Sequence, residues 1–549
     1  MKSFLAGPVG QAPALDMPLR FEAELSPARG AELGRPRAAF WRADGVCAIA
    51  STFDRIYWPG RAAYSGQHLR ERVCIYSPDL AQRWAVFDAA TFPVNDMAFH
   101  PTEPWVAIAT GSYDGGYFFE GELWLWNWEA STCYRLLSES REVTRVRYVD
   151  AGRLAVLMRP RDEGDFDGSA FETYFGGIVD DLRGHEQLEV AWGESDARVA
   201  SFPAVDPASL GFDDGEPDGD AAKMSLDGAV PDLAALERHR VWDLSWLDDE
   251  HVAAVHDNCR AEVWHVSGRL VWEDRRVDGH GVQILRQGGR SLVHVMKRDN
   301  APPWSTSSSL MEIRGDGLRP WREFEHTPFM SADRTGRILC RNTATSNPAK
   351  PAPPDDVIHP DGSTTQVRLG HFDCINHSLR VDDADMLYFL RGTPASSHKR
   401  KELCGLDMQG EIRGVFPWDE AAGGHFMESQ TCRLPAGGWV RVARRHEPGG
   451  GSVFIDGLDE RGRVMWRRPI ASVATALVSI PSDPACVAYA LLDGEIGVVD
   501  ARNGTSLAAQ SLQVDGVPSM ALSLSARGDR LAMGTIDGRV LLWRWRRDR

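Results

Sequence analysis

The last part of this chain, LSLSARGDRLAMGTIDGRVLLW at residues 522–543, is one copy of a pattern that recurs through most of the sequence. Apolar residues alternate at Met520, Leu522 and Leu524, a Gly528-Asp529 turn follows, and a second alternation carries Leu531 and Met533. Asp537-Gly538 then turns the chain into a third apolar stretch, residues 540–543. Alternation with a period of two reads as short strands, and Gly and Asp supply the dihedrals of tight hairpins. A chain written this way must fold by stacking copies of one small antiparallel unit.

Aligned on the strand after the first turn, the copies fall at Val46, Trp105, Leu154, Val252, Leu292, Ile338, Met386, Trp439, Val487 and Leu531. Most spacings are about 40–60 residues, the range of a four-stranded propeller blade. The interval from Leu154 to Val252 is roughly double that spacing. EVAWGESDARVASF, at residues 189–202, lies near its middle, so the count is ten units or eleven. Second halves such as CIYSPDLAQRWAVF from Cys74 and EVWHVSGRLVWED from Glu262 show a strand, a short turn and a strand. Each complete unit is therefore two hairpins, strand A to B and strand C to D. The last unit lacks its D strand, and LRFEAEL at residues 19–25 is expected to supply it. Such an addition closes a ring and removes an exposed sheet edge. The expected fold is all-β, a β-propeller of four-stranded antiparallel blades in about ten repeat units, closed by that N-terminal strand.

The pattern resembles the WD40-like β-propeller repeat superfamily. The terminal unit has that family's order of turn, apolar strand, Asp-Gly and apolar strand ending in Trp543, although Arg544 stands where the family's Asp usually follows. Gly-His pairs at Gly184-His185, Gly279-His280, Gly370-His371 and Gly424-His425 are a further shared habit. The resemblance runs from about Ala39 to the C-terminus at the level of architecture. Four parts are expected: a segment at 1–39 with the closing strand, blades at 40–205, a flexible acidic insertion at 206–239, and seven further blades at 240–549. The blades form one large ring or two entangled rings.

With 43% hydrophobic and 25% charged residues, the chain has material for a large core. No run approaches the roughly 20 apolar residues needed to span a membrane. The N-terminal MKSFLAGPVGQAPAL, interrupted by Gly and Pro, makes a poor signal peptide, so a cytoplasmic protein is expected. Arg greatly outnumbers Lys, pointing to a GC-rich bacterial genome. A net charge of −17 argues against general nucleic-acid binding. The nine cysteines include no C-x-x-C and mostly lie in or beside apolar strands, where free Cys is a small buried hydrophobe. No disulfide framework, metal site or cofactor is expected.

The long connections point to function. A–B and C–D turns are mostly tight, whereas B–C connections are long at 53–72, 111–121, 158–176, 297–309, 342–356, 391–402 and 444–451. In a propeller these all emerge on one face, and insertions confined to one face of a repeat protein mark its binding face. The early loops carry Tyr57, Trp58 and Tyr64, then Tyr113, Tyr117, Phe118 and Phe119, then Phe171, Tyr174 and Phe175. Aromatic side chains offer large contact area at low entropic cost, which suits protein recognition. Later loops are basic, with His398, Lys399, Arg400 and Lys401, then Arg444, Arg445 and His446. The plain alternative is that the aromatics cover the channel as a private mini-core and the charges are only solvated.

Other motifs are weaker. DEGDFDGSAFE at 162–172 imitates the start of a calcium loop, but an EF-hand frame from Glu163 puts Tyr174 where the bidentate Glu belongs. Trp124, Trp126 and Trp128 share one strand face, a stripe better suited to packing between blades than to carbohydrate binding. No G-x-S-x-G, H-E-x-x-H, Walker A or Rossmann fingerprint occurs. The expected function is a non-catalytic platform binding a protein or peptide partner. The alternative is a propeller hydrolase or lyase acting on a small molecule or glycan at the channel mouth, and a third reading is an exported ligand-binding propeller.

Overall fold

The computed structural model describes residues 18–26, 33, 35–52, 71–113, 117–137, 140–160, 162, 175–179, 240–256, 259–275, 279–297, 307–342, 352–371, 377–381, 384–392, 401–418, 425–445 and 451–547. These residues hold strands β1 to β41 and no α-helix. None of their elements is a helix long and apolar enough to cross a membrane.

After β1 (Leu19–Glu24) come three sheets, each in sequence order. The first is β2–β5 (Arg35–Trp41, Cys47–Thr52, Arg72–Tyr76, Arg83–Phe87). The second is β6–β9 (Val94–Phe99, Trp105–Tyr113, Phe119–Asn127, Thr132–Arg135). The third, three-stranded, is β10–β12 (Val143–Asp150, Arg153–Met158, Phe175–Val179).

Further sheets follow the residues at 180–239. They begin with β13–β16 (Val241–Trp246, His251–His256, Cys259–His265, Leu270–Asp274) and β17–β20 (Gly279–Gln287, Arg290–Lys297, Ser308–Arg314, Gly317–Phe324). Next are β21–β24 (Phe329–Ala332, Ile338–Arg341, Asp355–Ile358, Thr364–Val367), β25 (His377–Arg380) and β26–β28 (Leu387–Gly392, Lys401–Leu406, Ile412–Pro417). The series continues with β29–β32 (Phe426–Arg433, Trp439–Arg445, Val453–Leu458, Val464–Pro469) and β33–β36 (Ala474–Ile480, Asp483–Leu491, Glu495–Asp500, Ser506–Ser511). A short pair, β37–β38 (Gln513–Val514, Val517–Pro518), precedes β39–β41 (Ala521–Arg527, Arg530–Thr535, Val540–Trp545). The chain divides into two compact units, one holding β2–β12 and the other β1 with β13–β41.

The sequence repeat maps directly onto these sheets. Nine of the ten aligned apolar anchors fall on the second strand of a repeat or one residue before it, from Val46 ahead of β3 to Leu531 in β40, while Met386 precedes β26, the first strand of a three-stranded sheet. Strand β1 pairs antiparallel with β41, Leu19 opposite Trp545 and Phe21 opposite Trp543, and so becomes the fourth strand of the last sheet. The Leu25 N–H donates to the Val540 carbonyl (2.8 Å), and the Val540 N–H donates to Ser26 Oγ (2.7 Å). Glu22 forms an ion pair with Arg544 on the same edge.

The middle strands are buried on both faces, which explains their near-continuous apolar sequence. On β3, Ala48 and Ala50 join the cluster of Val106, Ile108, Trp126 and Trp128, while Cys47 and Ile49 face Leu33, Cys74 and Tyr76. On β7 the next positions, Ala107 and Ala109, face Leu154 and Val156 of the third sheet. Trp126 and Trp128 are buried core residues, and the rings of Trp124 and Trp126 each lie 5.5 Å from that of Phe87. In the second unit, clusters of the same kind join successive sheets, and Val241, Leu244 and Val252 of its first sheet pack with Ala532, Val540 and Leu542 of its last.

Two departures from the double-hairpin expectation stand out. Strand β25 pairs in parallel with β29, His377 opposite Ser429, so the sheet β26–β28 has three strands. The side chains explain the shift: His377 Nδ1 lies 2.8 Å from Ser429 Oγ, and Arg380 donates to the Leu524 carbonyl on β39. The sheet β10–β12 likewise has three strands among the described residues.

Turn chemistry repeats between sheets. In the C–D turns, Asp407 Oδ1 accepts the N–H groups of Gln409 and Glu411, and Asp459 Oδ1 those of Arg461 and Arg463. These bonds hold both carboxyl groups below their ordinary range. Each turn ends on a glycine in the left-handed region, Gly410 (φ 80°) and Gly462 (φ 74°). A Cβ on Gly410 would meet nothing within 4 Å, but one on Gly462 would lie 2.3 Å from Phe416 Cδ2 in the preceding sheet. Gly410→Ala is therefore expected to cost about 1–2 kcal/mol for the backbone alone. Gly462→Ala should add an overpacking penalty of about 1–3 kcal/mol. Chemical denaturation of the two variants checks this, and equal losses would show that Phe416 yields freely.

Candidate functional site

In the first unit, the ladder between β7 and β8 ends at the pair Tyr113 and Phe119, whose ring centroids are 5.1 Å apart. Phe119 is buried and Tyr113 half-buried, so this pair anchors the connection from beneath. Tyr117 and Phe118 stand above it, each 42% exposed, with rings 5.1 Å apart in an edge-to-face arrangement. Phe118 also forms an antiparallel bridge with Asp162, from the B–C connection of the third sheet. The aromatic loop is thus split: Phe119 and Tyr113 secure it, and Tyr117 and Phe118 present apolar surface. Phe175 begins β12 opposite Met158. Tyr57, Trp58, Tyr64, Phe171 and Tyr174 lie outside the described residues.

The basic candidates divide differently. Arg444 and Arg445 belong to β30, not to a loop, opposite Glu428 and Phe426. Arg444 Nε lies 2.6 Å from Glu428 Oε1, and the Arg445 guanidinium sits 5.8 Å from the ring centroid of Phe454. Lys401 opens β27 and is buried. Lys399 and Arg400 lie outside the described residues, as do the calcium-like stretch beyond Asp162 and the insertion at 206–239.

The second unit contains a cavity of about 390 Å³. Strands β13, β17, β21, β25, β29, β33 and β39 all contribute to its lining. Two of its charged groups, Asp243 and Arg380, hold sheets together. Asp243 accepts the N–H groups of Leu244 and Ile284, both at 2.9 Å, tying β13 to β17. Asp96 does the same in the first unit, bonding Met97 (2.8 Å) and Val146 (2.9 Å), and burial pushes its carboxyl up to about 6. Arg380 reaches the Leu524 carbonyl. Gln430 Nε2 and Thr431 Oγ1, both buried on the lining, make no hydrogen bond among the described residues. Sequence reasoning missed these residues, although their place on a first strand is the signal that they face inward.

Two serine–histidine pairs lie within hydrogen-bond distance, His377 with Ser429 and His265 with Ser267. His377 and Ser429 are both buried, and burial, with Lys401 and Arg441 nearby, holds the imidazole neutral, far below its usual range. A substrate carbonyl has no approach to that hydroxyl. His265 Nδ1 accepts the Ser267 N–H (3.1 Å) on an exposed C–D turn, the role Asp407 and Asp459 fill in theirs. Both pairs are structural.

A family model for the WD domain, G-beta repeat, matches residues 82–116, a window that runs through β5, β6 and β7. That stretch is a WD40-like repeat, and the chain repeats its strand pattern. Most of its sheets are four-stranded and antiparallel, the make-up of β-propeller blades. Among solved structures, this WD40-like chain is similar to a catalytically inactive virginiamycin B lyase from Staphylococcus aureus with quinupristin, at 11% identity and TM-score 0.40, covering 56% of this chain and 95% of that one. It is also similar to the C-terminal WD40 domain of Sif2 (11% identity, TM-score 0.37, 56% and 96% covered). A third likeness is to the WD40 propeller domain of Doa1 (13% identity, TM-score 0.39, 56% and 94% covered). No curated protein sequence matches the chain.

The Glu428–Arg444 pair gives the WD40-like chain a pH-sensitive feature. Burial pushes the Glu428 carboxyl up to about 7, and Arg444 only partly offsets this. Because the folded pKa lies above the ordinary value, protonated Glu428 favours the folded state. Its contribution is full below about pH 4.5 and is lost as pH rises through about 7, a change on the order of 3 kcal/mol. Glu428→Gln should therefore gain stability relative to wild type between pH 5 and pH 8. A difference in melting temperature that stays flat across that range would contradict the assignment.

Proposed function

We propose that this WD40-like chain is a non-catalytic platform for a protein or peptide partner, engaged by the B–C connections at one end of its blades. The observation that carries the reading is the part-exposed Tyr117–Phe118 pair, next in the chain to the Tyr113–Phe119 pair that ends the β7–β8 ladder and bridged to Asp162 of the neighbouring blade. Large apolar side chains fixed from below and open above suit the centre of an interface, where aromatic anchors contribute most. In this reading the second unit is a closed ring that supplies rigidity. The cavity supports a second reading, a small polar ligand held by Gln430 and Thr431. Catalysis there has less support, because Asp243 and Arg380 of the lining already serve backbone partners and Asp333 and Arg334 are held in ion pairs.

The test is affinity purification of the tagged full chain from its native cell, beside a Tyr117→Ala/Phe118→Ala variant. Both side chains are 42% exposed, so the variant should stay folded with a melting temperature close to that of wild type, which thermal unfolding checks first. A partner present in stoichiometric amount with wild type should bind the variant at least about 30-fold more weakly, the effect of removing about 2 kcal/mol. Undiminished binding by the variant, or no partner under gentle conditions, would count against the reading.

A further inference from the structure

His256, Cys259 and Glu262 lie where β14 hands over to β15, with only residues 257 and 258 between the strands. Each offers one ligand atom, and these atoms all fall within 4.8 Å of one another. All three side chains are fully buried. Neither ring nitrogen of His256 makes a hydrogen bond to a described residue, and Nε2 lies 3.4 Å from Glu262 Oε2. An imidazole taken wholly out of water with no hydrogen bond carries a desolvation cost that a ligand would offset.

In a regular strand Cys259 and Glu262 would point to opposite faces. Here the β14–β15 register shifts between Ala254, which pairs with Glu262, and His256, which pairs with Cys259. That irregularity turns Cys259 toward the face shared by His256 and Glu262. Such irregularities re-aim side chains at sites, and this one gathers a thiol, an imidazole and a carboxylate around one point.

We propose that His256, Cys259 and Glu262 form a zinc-binding site in the WD40-like chain. Sulfur, nitrogen and oxygen donors together suit a tetrahedral ion of borderline softness. With zinc bonds of about 2.0–2.3 Å, tetrahedral donors stand about 3.3–3.6 Å apart. The His256–Glu262 separation of 3.4 Å already meets that value, and the cysteine sulfur needs only a small closing movement. At present the Cys259 thiol donates to the Ala261 carbonyl at 3.0 Å. Binding would release the thiol proton to solvent and leave a thiolate on the metal, with water in the fourth position. The ion would clamp the β14–β15 turn, at the end of the blade from which B–C connections leave. This site departs from the expectation that the cysteines serve packing alone, and it stands whether or not the interaction reading holds.

The test begins with the full chain purified without added metal, then loaded with zinc or with cobalt. One equivalent of zinc by elemental analysis and a thiolate-to-cobalt charge-transfer band are expected. X-ray absorption at the zinc edge of the wild-type protein should show one sulfur among nitrogen and oxygen donors, a measurement that needs no variant. Cys259→Ser and His256→Gln should lose the equivalent, while Cys432→Ser, a buried cysteine elsewhere, should keep it. Chelation should lower the melting temperature of wild type by roughly 5 °C and leave Cys259→Ser unmoved. Absence of metal uptake by folded wild-type protein would overturn the proposal, and so would zinc bound without a sulfur donor or equally well by Cys259→Ser. In those cases the cluster is a buried imidazole–carboxylate contact and no more.

Discussion

The structure depends on the middle strands of each sheet having two buried faces. Successive side chains of a strand point to opposite sides, so β7 gives Val106 and Ile108 to the sheet β2–β5 and Ala107 and Ala109 to the sheet β10–β12. A slip of one residue would exchange the two sets and mismatch both interfaces at once. Register in each sheet is therefore set by the sheets on either side, and the blades stabilise one another in series. The exposed outer strands, such as β32 with Val464 and Met465 largely in solvent, show how little of this constraint reaches the edge.

Polar groups join the same stack where apolar packing alone leaves direction unspecified. Asp96 and Asp243 each bond the backbone of their own strand and of the next sheet's first strand. Buried arginines act similarly further out. Arg337 pairs with Asp333 and reaches the Asp407 carbonyl, Arg341 reaches the Leu390 carbonyl, and Arg441 pairs with Asp456 and reaches the Trp418 carbonyl. A buried guanidinium with several fixed acceptors tolerates little displacement, so removing one partner would strand a charge in the core.

Much of this architecture was legible because a strand buried on both sides is apolar over its whole length and is followed by a turn with fixed backbone needs. Leu154, Val252, Leu292 and Trp439 mark second strands for that reason, and Leu19 to Leu25 announced a strand in need of a sheet. The pairing of β25 was not legible, because it rests on contacts from His377 to Ser429 and from Arg380 to Leu524 that no local pattern contains. The loop aromatics were legible as a group but not individually. Adjacent residues Phe118 and Phe119 take opposite roles because the ladder ends between them. The zinc ligands escaped notice because a three-residue spacing along a strand puts side chains on opposite faces, and only the register shift at His256 brings them together.

The two ends of a blade are under different obligations, and that difference places function. The C–D turns are fixed by acids that accept turn amides and by glycines with positive φ, as at Asp407 with Gly410 and Asp459 with Gly462. Insertion there would break the turn and uncouple two strands. The B–C connections carry no common turn signature in the sequence, and their lengths range from the two residues after His256 to the eighteen or more between β3 and β4. A long connection can carry its own aromatic surface, as between β7 and β8. A two-residue connection has no room for one, and at the β14–β15 link three potential ligand side chains, His256, Cys259 and Glu262, gather at the strand ends instead.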